Sequence, residues 1–191
     1  MKQVRSPGQR AGLTQARVLE AAHELVADEG VAGLTMRALA GRLGVLPNAL
    51  YSHVATKNAL VDALLDDLLA QVAEPGADVE DPIDGLRTMM TSTFEVLVAH
   101  ADLVGLYISR QGARGPNAQR LGEVMLRLLA RLDVTGERAI DARRVLIVYT
   151  IGFAAFSPRG VADGPPLPAA KVAEDYAAGL DWLLTGIATR K

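Results

Sequence analysis

Apolar side chains recur along this chain at the spacing of a single helical face. Behind Thr14, a good N-cap, residues Val18, Ala21, Ala22, Leu25 and Val26 follow the i, i+3, i+4, i+7, i+8 template, and Gly30 stands where a left-handed C-terminal cap is wanted. A short second helix follows, with Thr35 as its N-cap, Leu39 and Leu43 one turn apart, and Gly44 as its stop. Leu46, before a proline, is biased to extended backbone, whereas Pro47 suits a first helical position, so a third helix is expected from Pro47 to about His53. The pattern is helix, tight glycine turn, helix. A fourth helix, from Lys57 to about Val72 behind Thr56, aligns Leu60, Leu64, Leu68 and Val72 and leaves Asp62, Asp66 and Asp67 largely outside the stripe.

Residues 73–82 mark a boundary, because Pro75, Gly76, Pro82 and the acids Glu74, Asp78, Glu80 and Asp81 favour loop over packed structure. Five more helices are expected at roughly 83–100, 102–112, 116–132, 137–156 and 169–188. The third of these is the clearest: Leu121, Val124, Met125, Leu128, Leu129 and Leu132 form one wide stripe, with Arg120, Glu123, Arg127 and Arg131 facing away. Residues 157–168 read as a loop rich in proline and glycine, and residues 1–12, with Lys2, Arg5 and Arg10 and no acid, as a mobile basic arm.

Composition agrees with an all-α fold, since half of the 191 residues are apolar but only 4% are aromatic. No segment is expected to span a membrane, because the longest uncharged run, residues 145–158, falls short of the roughly 20 residues needed. The N-terminus is polar rather than signal-like and there are no cysteines, which points to a cytoplasmic protein without disulfides or thiolate metal sites. The net charge of −2 hides an asymmetry: residues 1–60 carry +3 and the remainder −5. A basic head on an acidic body suggests a polyanion at one end.

Catalytic patterns are sparse. There is no glycine-rich phosphate loop and no nucleophile elbow, and His23-Glu24 lacks the second histidine of a zinc helix, so no enzyme activity, cofactor or metal is expected. Of the three histidines, His23 reads as a partly exposed helix residue and His100 as a helix-end residue whose imidazolium favours the dipole.

Residues 35–57 are more informative. Lys57 places a cation in the first turn of a helix, which opposes the macrodipole by about 0.3–1 kcal/mol unless an external anion sits there. Tyr51 and His53 lie just upstream, where they and the free N–H groups of the fourth helix can hold a phosphate. The third helix is too short and polar to persist alone and must be held by Leu50. With Leu50 inward, Pro47, Asn48, Ala49 and Ser52 face outward, small enough for a major groove about 12 Å wide. Spacing alone is also compatible with an ordinary helical hairpin carrying an exposed polar turn.

The stretch from Arg17 to Leu69 resembles the tetracycline-repressor-like (TetR) one-component regulators, through Gly30, Leu34, Thr35, Arg37, Ala40, Leu43, Gly44, Val45, Leu50, Tyr51, His53, Lys57 and Leu60. The resemblance implies that Thr35 caps the second helix and bonds a phosphate, and that Arg37 reaches a phosphate or base edge. It also implies that Tyr51, His53 and Lys57 clamp the DNA backbone while Pro47, Asn48, Ala49 and Ser52 face the bases. Two positions depart from the pattern: Ser52 stands where the family often has a large aromatic, and Pro47 where some members have a polar base-reading residue. Both imply weaker direct readout.

The implied layout is a helix-turn-helix domain over 13–56, a linking helix over 57–74, and a ligand-binding and dimerisation body over 75–191 that matches in layout only. Candidate ligand contacts are Met89, Met90, Phe94, His100, Tyr107, Met125, Tyr149 and Phe153, which at helical spacing also suit plain core, with Arg110 and Arg114 available to an anionic or polar ligand group. The last two helices are expected to build a homodimer, with Gly152, Ala154, Ala155, Ala177, Ala178 and Gly179 allowing close approach. Tyr149, Tyr176, Leu180, Leu183, Leu184 and Ile187 would supply its apolar area. The implied partners are double-stranded operator DNA, an unidentified small-molecule effector and a second copy of the chain, in a repressor released by the effector. An activator of the same family, or an all-α interaction protein without ligand control, would share most of these features.

Overall fold

Local capping sets out the elements before any tertiary contact does. In a computed structural model describing residues 12–76, 78–110, 112, 114–156 and 168–189, the described residues form nine α-helices and no strand. Helix α1 (Gln15–Gly33) starts where the Thr14 side chain accepts a hydrogen bond from the Arg17 N–H at 3.2 Å. Helix α2 (Met36–Arg42) is capped in the same way by Thr35, and α4 (Lys57–Leu69) by Thr56. Between them lies α3 (Pro47–Leu50), and the body is built from α5 (Pro82–Ala99), α6 (Ala101–Arg110), α7 (Pro116–Ala130), α8 (Gly136–Ala155) and α9 (Ala169–Thr189).

In the head, α1, α2, α3 and the first turns of α4 close over Val18, Ala22, Leu25, Leu34, Leu39, Leu50 and Leu60. Helix α8 forms the axis of the body, packed against α5, α6, α7 and α9. Tyr176 of α9 is wedged into this core, stacked on Phe94 with ring centroids 4.2 Å apart. Its hydroxyl donates to the Met90 carbonyl at 2.8 Å and lies 3.0 Å from Thr150 Oγ1, so the buried polar groups are satisfied. Helix α4 belongs to both units, packing on α1 and also on α5, α6 and α7.

Several expectations need correction. At Gly30 (φ 72°, ψ 176°) α1 breaks but resumes for one more turn to Gly33, so this glycine makes a kink rather than a terminal cap. Helix α3 stops at Leu50 rather than His53, because the N–H groups of His53 and Val54 both converge on the Leu50 carbonyl and close a turn. Helix α4 ends at Leu69, yet Val72 stays buried, since tight i→i+3 bonds from Gln71 and Val72 keep the apolar stripe in line. Of the arm expected over residues 1–12 and the loop expected over 157–168, residues 1–11 and 157–167 lie outside the described residues.

Asp66 was expected outside the apolar stripe and is instead buried, for a reason that lies on another helix. Helix α7 begins at Gly115, which has no side chain to cap it. Asp66 takes that role from α4, accepting from the Asn117 N–H at 3.1 Å and the Ala118 N–H at 2.9 Å, while the Asn117 amide donates back to it. A carboxylate at a helix N-terminus also meets the positive end of the dipole. Any side chain at position 115 would overlap this carboxylate. Asp66→Ala should therefore lower stability by about 1–3 kcal/mol, as two buried N–H groups lose their acceptor, and Asp66→Asn by less. Urea unfolding of the two variants checks the order.

Candidate functional site

The surface after Gly44 is presented by a turn that few other residues would make. Gly44 sits at φ 64°, a left-handed backbone that costs glycine nothing. Its N–H donates to Gly41 and that of Val45 to Ala40, so α2 closes its last carbonyls and the chain passes at once into Pro47. With Leu50 fully buried, Pro47, Asn48, Ala49, Tyr51 and Ser52 are exposed, and His53 is half-buried. Leu46 beside them is 74% exposed, an outward apolar residue that the sequence reading placed only as the residue before a proline.

Hydrogen bonds decide what each group has left to offer. The Thr35 oxygen accepts from the Ala38 N–H at 3.1 Å, leaving its hydroxyl proton available to an outside acceptor. The Ser52 hydroxyl donates to the Ala49 carbonyl at 2.8 Å and keeps only lone pairs for a partner. Arg42 is tied to Asp28 at 2.7 Å and Glu24 at 3.5 Å, and these carboxylates, Asp28 foremost, raise its pKa. Arg37 and Lys57 are exposed and have no carboxylate partner among the described residues. The face thus carries two unspent cations, a free hydroxyl proton and small apolar groups.

A cavity of about 330 Å³ opens in the body between α5, α6, α7 and α8, with Leu69 of α4 at its edge. Four of the candidate ligand contacts line it: Met89, Met90, Tyr107 and Met125. The other four lie elsewhere. Tyr149 and Phe153, four residues apart on α8, turn toward α9 and join Phe94 in the aromatic cluster around Tyr176. The cavity receives the opposite face of α8, through Ile147, Ile151 and Arg143, which the sequence reading missed. Arg114 lines it as well, whereas Arg110 is committed to a two-pronged bond with Asp62 at 2.7 and 2.5 Å. The Tyr107 hydroxyl donates to the Leu65 carbonyl, and burial, followed by the charge of Asp66, pushes its pKa up.

Two family profiles match the chain: "Bacterial regulatory proteins, tetR family" over residues 18–64 and "Tetracyclin repressor-like, C-terminal domain" over residues 74–175. The chain belongs to the tetR family of bacterial regulatory proteins. An HTH-type transcriptional regulator of Saccharopolyspora erythraea is 33% identical over 140 residues, 73% of this chain and 59% of that protein. The class A tetracycline repressor from transposon 1721 of Escherichia coli is 34% identical over 138 residues, 71% of this chain and 62% of the repressor. The chain thus spans less than two thirds of the length of either relative. Among solved structures, a TetR variant of Acinetobacter baumannii AYE in complex with minocycline superposes with a TM-score of 0.79 at 28% identity, covering 92% of this chain and 96% of that one. BioQ bound to its double-stranded DNA operator gives 0.74 at 26% identity, covering 94% and 100%.

In this TetR-family chain the open face of α8 and α9 keeps part of the expected set, with Ala155, Ala177 and Ala178 exposed. Tyr176, Leu180, Leu184, Ala154 and Gly179 turn into the protomer core, and Gly179 is small because the Tyr149 hydroxyl lies against it. Exposed along with the three alanines are Val145 and Val148 on α8, Phe156 at its C-cap and Trp182 on α9, with Val148 63% and Trp182 76% exposed. Among the described residues, no helix is long and apolar enough to cross a membrane.

His100 caps the end of α5 against the head, its ring 6.1 Å from that of His23, whose Nε2 lies 3.0 Å from Asp67 of α4. Burial and, secondarily, the charge of His23 lower the His100 pKa from 6.5, so the neutral imidazole is favoured rather than the expected imidazolium. A lowered folded-state value means that the unfolded chain binds more protons below 6.5. Stability is then full above that pH and declines as pH falls through it. His100→Gln should flatten this decline, as measured by urea midpoints between about pH 7.5 and 5.5.

Proposed function

We infer that the chain is a sequence-specific DNA-binding transcriptional regulator, a homodimeric repressor whose grip on a palindromic operator is released by a small molecule in the body cavity. The observation that carries this reading is the outward face after Gly44: Leu50 anchors α3 from within, while Arg37 and Lys57 have no carboxylate partner among the described residues. Thr35, Tyr51, His53 and Lys57 hold phosphates, Arg37 reaches a phosphate or guanine edge, and Pro47, Asn48 and Ala49 face the bases, joined by Leu46. Ser52, already bonded to its own helix, contributes as an acceptor. BioQ, bound to its operator, and the minocycline-bound repressor variant support both halves of the reading.

Homodimer formation through Val148, Phe156 and Trp182 follows from the large apolar area these residues leave in water. A two-fold axis there would present two copies of α3 to half-sites roughly 34–36 Å apart. Such a regulator acts in the cytoplasm, needs no catalytic centre or cofactor, and senses the metabolite rather than converting it.

On a duplex selected from a random pool, Arg37→Ala should weaken binding by about 1–3 kcal/mol, and Tyr51→Phe by less, with melting temperatures unchanged. Fluorescence anisotropy checks this, and log affinity should fall with log salt by about 0.9 per phosphate contact. Undiminished affinity in Arg37→Ala would refute the assigned face. Val148→Asp should shift sedimentation to the monomer and abolish operator binding together.

A further inference from the structure

The charge of the body cavity does not follow the charge of the body. The body, residues 75–191, is nearly balanced at a net −1, yet among the described residues the lining of the 330 Å³ cavity contains Arg114 and Arg143 and no acidic residue. An adjoining depression of about 590 Å³ shares Arg143 and adds Arg144, again without an acid. The remaining polar groups of the inner cavity are largely committed: the Thr93 hydroxyl donates to Met89 at 2.8 Å and the Tyr107 hydroxyl to Leu65.

Arg143 stands apart from the other arginines of α8. Arg138 donates to the Ile187 carbonyl at 2.9 Å, and Arg144 pairs with Asp141 at 3.0 Å. Arg143 is half-buried and makes no hydrogen bond or ion pair among the described residues. Its guanidinium lies over the bare α-carbon of Gly122, where a Cβ would come within 3.2 Å of Nη1. A guanidinium that shares a cavity lining with Met125, Ile147 and Ile151 has apolar neighbours there, and an anion would engage it through charge-assisted bonds in a fork geometry.

We propose that the effector is an amphipathic anion, an apolar body bearing one carboxylate or similar acid, with the acid held by Arg143 and the apolar part among the methionines. The proposal rests on the cavity being the effector site. Arg114, exposed at the mouth, draws the acid inward, and with no carboxylate among the described lining residues a cation finds no counterpart there.

The test uses the full chain and a probe pair matched in shape, 2-naphthoate and 2-naphthamide, titrated by calorimetry near neutral pH. The acid should bind at least about ten-fold more tightly than the amide. Arg143→Met should reduce that preference to below about two-fold, Arg143→Lys should restore part of it, and Arg144→Met should leave it intact. Equal affinities in the unaltered protein, or a full preference in a folded Arg143→Met, would overturn the charge assignment while leaving the cavity as the effector site. Binding of neither probe would overturn both. Because no DNA is present, none of these results depends on the operator reading, whose own failure would show only in anisotropy.

Discussion

Helix α4 is fastened by polar groups on both sides, and the relation of head to body depends on those fastenings. Toward the body, Asp62 holds Arg110 of α6, the Leu65 carbonyl accepts from Tyr107, and Asp66 caps α7. Toward the head, Asp67 meets His23 of α1, while Leu60, Leu64 and Leu68 fill the apolar interface. The ties differ in strength. The Asp62–Arg110 pair is exposed enough for solvent to screen it, whereas Asp66 is buried and its removal leaves backbone donors without water.

The same helix begins at Lys57 on the surface proposed to meet DNA and ends at Leu69 on the cavity wall, so one element touches both candidate sites. In the proposed regulator, filling the cavity would act at α4 through Leu69, Tyr107 and the α7 cap, and a tilt there would carry Lys57 and the neighbouring α3 face with it. Such coupling requires an effector that binds the two head positions unequally. The arginines lining the cavity would supply the chemistry for that difference, with Arg143 gaining a partner when an anionic effector binds.

Local chemistry was legible in the sequence. Thr14, Thr35 and Thr56 cap the helices they precede, Gly44 makes the turn, and Leu50 turns inward, because each depends on neighbours within a few residues. What depends on distant partners was not. Asp66 looks like a solvent-facing acid until α7 arrives with an uncapped N-terminus. Helix α9 bears two plausible apolar faces, one through Tyr176, Leu180 and Leu184 and one through Ala178 and Trp182, and periodicity does not say which faces inward. Arg143 reads as one of two adjacent arginines, and only the cavity distinguishes it from Arg144.

The fastening of α4 is tested most directly by the distance between head and body. The chain has no cysteines, so spin labels at Ser52→Cys and Glu123→Cys, diluted with unlabelled protein, report on one head and its own body. Pulsed dipolar spectroscopy should give a single narrow distance distribution, which broadens when Asp66→Ala and Arg110→Met together release α4 from the body in protein that remains folded. An unchanged narrow distribution in that variant would show that these ties do not position the head.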